Sequence, residues 1–249
     1  MNLSEFSLEN KVALITGGSS GIGKMMALAL AKAGAFVWIA SSRDNADETL
    51  QELKDQGSDG RFIQADVTSS EALKDIVSLI NRESDQIDIL VNAAGINLRT
   101  PAQDLTLDEW QKTIDINLTA PFHLSQLVAK SMKKNNWGRI INIASLQSLR
   151  AFDNSIPYGA SKGGIMQLTR ALAQAYSKDG ILVNAIAPGL VNTDMMKDTS
   201  PKIIDEILTN TPLKKVAEPE DVANSALFLA SSLSNHVTGE IVFVTGGYE

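Results

Sequence analysis

Short apolar runs rich in Val and Ile alternate with longer helical patterns along the chain. This alternation restricts the fold more than any other feature. The runs fall at 12–16, 36–40, 61–65, 87–91, 139–143, 182–186 and 241–244, and the helical patterns at 22–33, 45–56, 69–83, 107–133, 158–178 and 218–231. Most runs are apolar nearly throughout, as expected of strands covered on both faces. Such alternation builds βαβ units. The expected fold is α/β: a seven-stranded, doubly wound parallel sheet flanked by helices. No low-complexity linker or internal repeat interrupts the pattern, so residues 1–249 read as one domain. The longest stretch without a clear strand is 189–215, with Pro201, Pro212 and a short helical run at 203–208. Ligands of open α/β sheets sit beyond the carboxyl ends of strands, so an excursion after the sixth strand is expected to be a lid.

Composition removes several kinds of chemistry. There is no Cys, so disulfides, thiolate metal sites and a cysteine nucleophile are excluded. The two histidines, His123 and His236, lie far apart in sequence, and no metal site is expected. A net charge of −7 argues against a nucleic-acid partner, because phosphate binding favours a basic surface. No apolar run approaches the ~18–20 residues of a membrane span, and residues 1–11 do not read as a signal peptide. The expectation is a cytoplasmic protein with no membrane partner.

Thr16-Gly17-Gly18-Ser19-Ser20-Gly21-Ile22-Gly23 follows the first strand and opens the first helix. Glycines allow a tight turn and close approach of a pyrophosphate. The helix start adds free N–H groups and a positive dipole end. No Lys-Ser/Thr pair closes the turn, so it is not a P-loop. The reading is a dinucleotide site.

With this turn, five further landmarks resemble the short-chain dehydrogenases/reductases. They are Asn92-Ala93-Ala94-Gly95, Asn117, Ser145, the Tyr158-x-x-x-Lys162 pair and Pro188-Gly189, in order across nearly the whole chain. The resemblance implies a Rossmann-like fold and an NAD(P)-dependent enzyme that interconverts a secondary alcohol and a ketone. It makes Tyr158 the general acid in reduction and the general base in oxidation. An ordinary phenol has a pKa of about 10, so work near neutral pH calls for a fall of roughly 2–3 units. Lys162, one helical turn on, would supply positive charge. Ser145 would bond the substrate oxygen. Asn117 would hold a water linking Lys162 to solvent. The resemblance also gives cofactor contacts to Gly17, Ser19, Ser20, Gly21, Ile22 and Gly23. It extends them to Asp66 and Val67, to Asn92, Ala93 and Gly95, with Asn92 bracing the sheet edge near the cofactor, to Tyr158 and Lys162, and to Pro188, Gly189, Val191 and Thr193. The family's closing Asp-Gly-Gly is Thr245-Gly246-Gly247 in this chain.

An NAD-preferring site carries an acid at the end of the second strand. The sequence there is Ile39-Ala40-Ser41-Ser42-Arg43-Asp44. Ser41 occupies the expected acidic position, and Ser42 and Arg43 suit a 2′-phosphate, so NADP(H) is favoured. NAD(H) is the alternative, with Asp44 reaching the ribose.

For the substrate, residues 95–101 resemble the corresponding segment of gluconate and related sugar-acid dehydrogenases. Arg99 could fork a carboxylate. Gln147, Arg150 and Asn154 could bond hydroxyls beside Ser145 and Tyr158. The expected substrate is a small carbonyl or alcohol compound, a sugar acid or polyol. The competing readings are a 3-oxoacyl-(acyl carrier protein) reductase and a non-catalytic dinucleotide-binding regulator. Surplus apolar residues around 107–133 and 158–178 point to a homotetramer, with a dimer as the alternative.

Overall fold

A computed structural model describes residues 3–197 and 199–248. All seven expected strands are present: β1 (Val12–Thr16), β2 (Phe36–Ser41), β3 (Gly60–Gln64), β4 (Ile89–Asn92), β5 (Gly138–Ile143), β6 (Ile181–Pro188) and β7 (Ile241–Val244). They form one parallel sheet in the order β3-β2-β1-β4-β5-β6-β7. The chain works outward from β1 to β3, then returns to start β4 on the other side of β1. The β1/β4 junction is therefore the switch point where such sheets open a crevice.

Successive strand residues point to opposite faces, and both faces are buried. Ala13, Ile15, Val37 and Ile39 enter one core layer, closed by α1 (Gly21–Lys32), α2 (Asp47–Asp55) and, after six further helices, α9 (Pro219–Ala230). Leu14, Trp38 and Ala40 enter the other, under α3 (Ser70–Ser84), α5 (Ala120–Asn135) and α6 (Ile156–Tyr176). This two-sided burial explains why the strands lack a polar alternation.

The expected helix over 107–133 is present and runs without a gap, with one turn of wider pitch inside it. It divides into α4 (Leu107–Ile114), a π-helical turn at Asp115–Thr119, and α5. The cause is legible in the sequence. Pro121 has no N–H, so the carbonyl of Asn117, four residues back, loses its α-helical donor. The segment after β6 carries two helices, α7 (Asp194–Lys197) and α8 (Pro201–Asn210). Its far end is tied to the C-terminus by a bond from Leu213 N–H to the Gly246 carbonyl, 3.1 Å long.

Candidate active site

One cavity of about 460 Å³ opens along the carboxyl ends of the strands, across the switch point. At one end lies the glycine turn. Gly17 has φ +70°, and a Cβ there would stand 2.8 Å from the Ala94 amide nitrogen. A Cβ on Gly23 would fall 2.3 Å from the Gly17 carbonyl oxygen. Only glycines let the turn fold back on itself and bring the start of α1 to the cavity. Ser20, the N-cap, makes no side-chain bond to the first turn of α1, and that turn carries no acid. The helix N-terminus thus remains available to an anion, as a dinucleotide pyrophosphate requires.

At the end of β2, Ser41, Ser42 and Arg43 line the cavity, whereas Asp44 does not. Ser41 Oγ accepts from the Ser19 hydroxyl (3.0 Å) and the Arg43 amide (3.2 Å), which joins this corner to the glycine turn. Asp66 and Val67 line the cavity after β3. Asp66 also accepts from the amide and hydroxyl of Thr68, so it organises the entry to α3 at the same time.

The chemical groups gather at the other end. Ser145 leaves β5, and its Oγ accepts from the Gln147 amide at 3.1 Å. That leaves its proton to bond the Tyr158 phenol. Tyr158 and Lys162 project from the first turns of α6. Burial pushes the Tyr158 pKa above its usual value, while the Ser145 hydrogen bond and the Arg99 guanidinium act in the opposite sense. Taking a phenolate out of water is costly, and it opposes the fall expected from the sequence. Lys162 is 4% exposed, its Nζ donates to the Ile143 carbonyl at 2.6 Å, and burial brings its pKa down to about 8. The ammonium lies 5.5 Å from the centre of the Tyr158 ring.

Ser148 joins the two strips of chain that carry these groups. Its hydroxyl donates to the Lys162 carbonyl (2.8 Å) and accepts from the Ser145 amide (3.3 Å). The turn bearing Ser145 packs on a glycine face of α6, where a Cβ on Gly159 would lie 3.7 Å from the Gln147 carbonyl oxygen.

Three sequence-derived residues fall outside the cavity lining. Asn92 is buried under it and donates to Asn142 Oδ1 (2.8 Å) and Ser125 Oγ (3.3 Å), bracing β4 against β5 rather than meeting a ligand. Arg150 stacks over Tyr248, 5.8 Å from its centre, beside the C-terminus. Asn117 sits in the π turn, with its side chain committed. Oδ1 accepts from Ile96 N–H (2.9 Å), and Nδ2 donates to the Ile96 carbonyl (2.9 Å) and Ser161 Oγ (3.1 Å). A relay water would therefore meet Asn117 at its backbone carbonyl, the group Pro121 releases. The other expected positions, including Ala93, Gly95, Arg99, Asn154, Pro188, Gly189, Val191 and Thr193, line the cavity.

Sequence reasoning missed Asn97 and Phe152, together with Met195, Met196, Ile203 and Ile207 from the segment after β6. The last four belong to the segment 189–215, whose length and position after the sixth strand gave the expectation of a lid without singling out these side chains. Among the described residues no group of His, Cys, Asp or Glu could hold a metal, and no helix is long and apolar enough to cross a membrane.

A glycine turn opening a helix at the switch point, with a Ser–Tyr–Lys set facing it across one cavity, defines a dinucleotide-dependent oxidoreductase site. Comparison with known proteins gives the same class. The family profile described as "Enoyl-(Acyl carrier protein) reductase" matches residues 17–249. A 3alpha-hydroxysteroid dehydrogenase of Mediterraneibacter gnavus is 39% identical over 243 residues, covering 96% of this chain and 97% of that protein. A 2-dehydro-3-deoxy-D-gluconate 5-dehydrogenase of Bacillus subtilis is 39% identical over 246 residues (98% and 96%). A 3-oxoacyl-[acyl-carrier-protein] reductase of Staphylococcus epidermidis is 36% identical over 240 residues (96% and 98%). Among solved structures, a putative gluconate dehydrogenase from Agrobacterium tumefaciens superimposes with a TM-score of 0.95 at 38% identity, covering 98% of both chains. A putative 2-deoxy-D-gluconate 3-dehydrogenase from the same organism, solved with bound NADP, gives 0.92 at 35% identity and the same coverage. The chain belongs to the short-chain dehydrogenase/reductase family and is an oxidoreductase acting on CH–OH groups.

Proposed function

We propose that this protein interconverts a ketone and a secondary alcohol on a small sugar acid or polyol, using NADP(H) in preference to NAD(H). The observation that carries the reading is the Ser145–Tyr158 pair, with Lys162 beside it and Arg99 acting on the phenol. A bound nicotinamide dinucleotide supplies or accepts the hydride. Ser145 donates a hydrogen bond where negative charge builds on the substrate oxygen. Tyr158 delivers the proton in reduction and removes it in oxidation. Lys162, held against Ile143, keeps a positive charge beside the phenol. Asn117 anchors the loop at Ile96 and offers its backbone carbonyl to a relay water. The glycine turn and the start of α1 receive the pyrophosphate, Asp66 and Val67 flank the adenine, and Thr193 lies towards the nicotinamide. Ser41, Ser42 and Arg43, with no carboxylate among them, suit a 2′-phosphate.

Arg99 forks the substrate carboxylate. The segment 189–215 acts as a lid that lays Met195, Met196, Ile203 and Ile207 over the cavity. The protein works in the cytoplasm as a homotetramer. Leu107 at 86% exposure and Phe122 at 43%, on α4 and α5, are apolar surface that a second subunit would cover.

The relatives also include a 3-oxoacyl-[acyl-carrier-protein] reductase. NADPH oxidation against keto sugars, keto acids and acetoacetyl thioesters tests the choice. Turnover of keto acids well above thioesters supports the proposal. Thioester turnover alone replaces it with the acyl reductase, and no turnover of any carbonyl would leave a binding protein.

A further inference from the structure

We propose that Thr199, on the segment after β6, is a specificity-determining residue whose side chain bonds a hydroxyl group of the substrate. The inference rests on the sugar-acid reading above and deepens it.

Between positions 195 and 207, five residues line the cavity: Met195, Met196, Thr199, Ile203 and Ile207. Four of them are apolar, and Thr199 alone brings a hydroxyl. The residue is 8% exposed. Its Oγ1 bonds no other group among the described residues, yet it is not sealed against the chain and stays open to solvent. A buried residue that faces a cavity and keeps its hydroxyl open and unbonded has that hydroxyl free for a ligand.

The backbone around Thr199 is fixed on both sides. Its N–H donates to the Met196 carbonyl at 2.9 Å, which closes the turn after α7. The next residue, Ser200, caps α8, and its carbonyl accepts from the Ile203 and Ile204 amides at 3.0 and 3.1 Å. Branching at Cβ stiffens χ1, so the hydroxyl has little rotamer freedom to lose on binding. The segment is also tied to the side of the cavity where the chemistry lies. Arg99 Nη2 donates to the Met195 carbonyl at 3.5 Å, and the same guanidinium acts on the Tyr158 phenol. Thr199 thus follows, four residues on, the stretch of backbone that Arg99 holds.

Ligand sites combine mostly apolar walls with a few placed polar groups that set orientation and specificity. A lone hydroxyl among thioether and aliphatic side chains has that character. It can both donate and accept, so a substrate hydroxyl can meet it in either sense. The apolar neighbours then cover the carbon backbone of the ligand. A methylene at the same point would displace water from Thr199 and leave its hydroxyl unbonded, which disfavours a deoxygenated chain. The fitting ligand carries its ketone at Tyr158, its carboxylate at Arg99 and a hydroxyl under the lid.

The test compares two keto acids of equal length, 5-oxo-D-gluconate and 5-oxohexanoate. They share the carboxylate-to-ketone spacing and differ in every hydroxyl. The wild-type protein is expected to favour the hydroxylated compound by roughly tenfold or more in kcat/KM, because a site built to bond a hydroxyl rejects the analogue lacking it. Thr199→Val keeps the shape of the side chain and removes the hydroxyl. It should cut that preference by about fivefold, as for one hydrogen bond, with the loss falling on 5-oxo-D-gluconate and the dissociation constant for NADPH unchanged. Thr199→Ser, which restores the hydroxyl, should keep most of the preference, and Thr199→Ala gives the same comparison if the valine variant does not fold. A wild-type protein that turns over both keto acids alike, an equal loss on both in the valine variant, or a serine variant as poor as the valine one would overturn the role of Thr199 and leave the sugar-acid reading intact. Wild-type turnover of acetoacetyl thioesters but of neither keto acid would overturn that reading and this one together.

Discussion

Lys162 carries a charge that the fold holds at a disadvantage, and removing it should make the protein more stable. Its ammonium is buried, and its pKa falls from 10.5 to about 8. Between those two values the unfolded chain binds the proton and the folded chain does not, so stability rises with pH across that window. Below it the full penalty applies, roughly 3 kcal/mol at pH 7. Lys162→Met removes that penalty. It also leaves the Ile143 carbonyl without its 2.6 Å donor, which costs about 1 kcal/mol. The variant should therefore be about 2 kcal/mol more stable than wild type at pH 7, and the gain should shrink by about 2 kcal/mol by pH 9.5. Urea unfolding of both proteins without nucleotide, at one protein concentration and at both pH values, measures this. A variant less stable than wild type at pH 7, or a gap that ignores pH, would refute the reasoning. Cofactor affinity and turnover should fall in the same variant, as expected where a strained site serves function.

Other outcomes follow from the same geometry. NADPH should outperform NADH, and Arg43→Ala should narrow the gap by about 1–3 kcal/mol in kcat/KM, as for a charge-assisted contact; a tenfold wild-type preference for NADH contradicts the reading of the β2 corner. Ser148→Ala should lower kcat about tenfold or more with little change in NADPH affinity, since a small misplacement of Ser145 against Tyr158 is costly. Because the Ser145 bond lowers the phenol pKa, the same change should move the pH profile of alcohol oxidation to higher pH; an unmoved profile argues for a merely structural serine. Light scattering at micromolar concentration should give about four times the 26.7 kDa chain mass, and a monomer would remove the proposed interface.

Much of this architecture was legible in the chain. Strand positions could be read because both faces of the inner sheet are buried, so most strands are apolar nearly throughout, the edge strand β3 excepted. The glycine turn could be read because its backbone geometry excludes other residues, as the Gly17 and Gly23 contacts show. The helix over 107–133 could be read from its apolar spacing, but the π turn at 115–119 carried no periodic signal of its own. The brace expected of Asn92 is present between β4 and β5, whereas Asn117 was legible as a residue that matters but not as to how. Its amide binds another part of the chain, and a sequence does not distinguish a polar group facing a ligand from one facing Ile96. Asn97 carried no motif, and only the cavity singles it out.

The central claim is that the Tyr158 hydroxyl moves the proton in a hydride-transfer reaction. Tyr158→Phe removes that oxygen and little else. With NADPH and the best keto acid from the substrate panel, the account predicts turnover at least a thousandfold below wild type, within the range of general acid–base catalysis, and an NADPH dissociation constant within about threefold of wild type. Turnover within tenfold of wild type in a variant that still binds NADPH would contradict it.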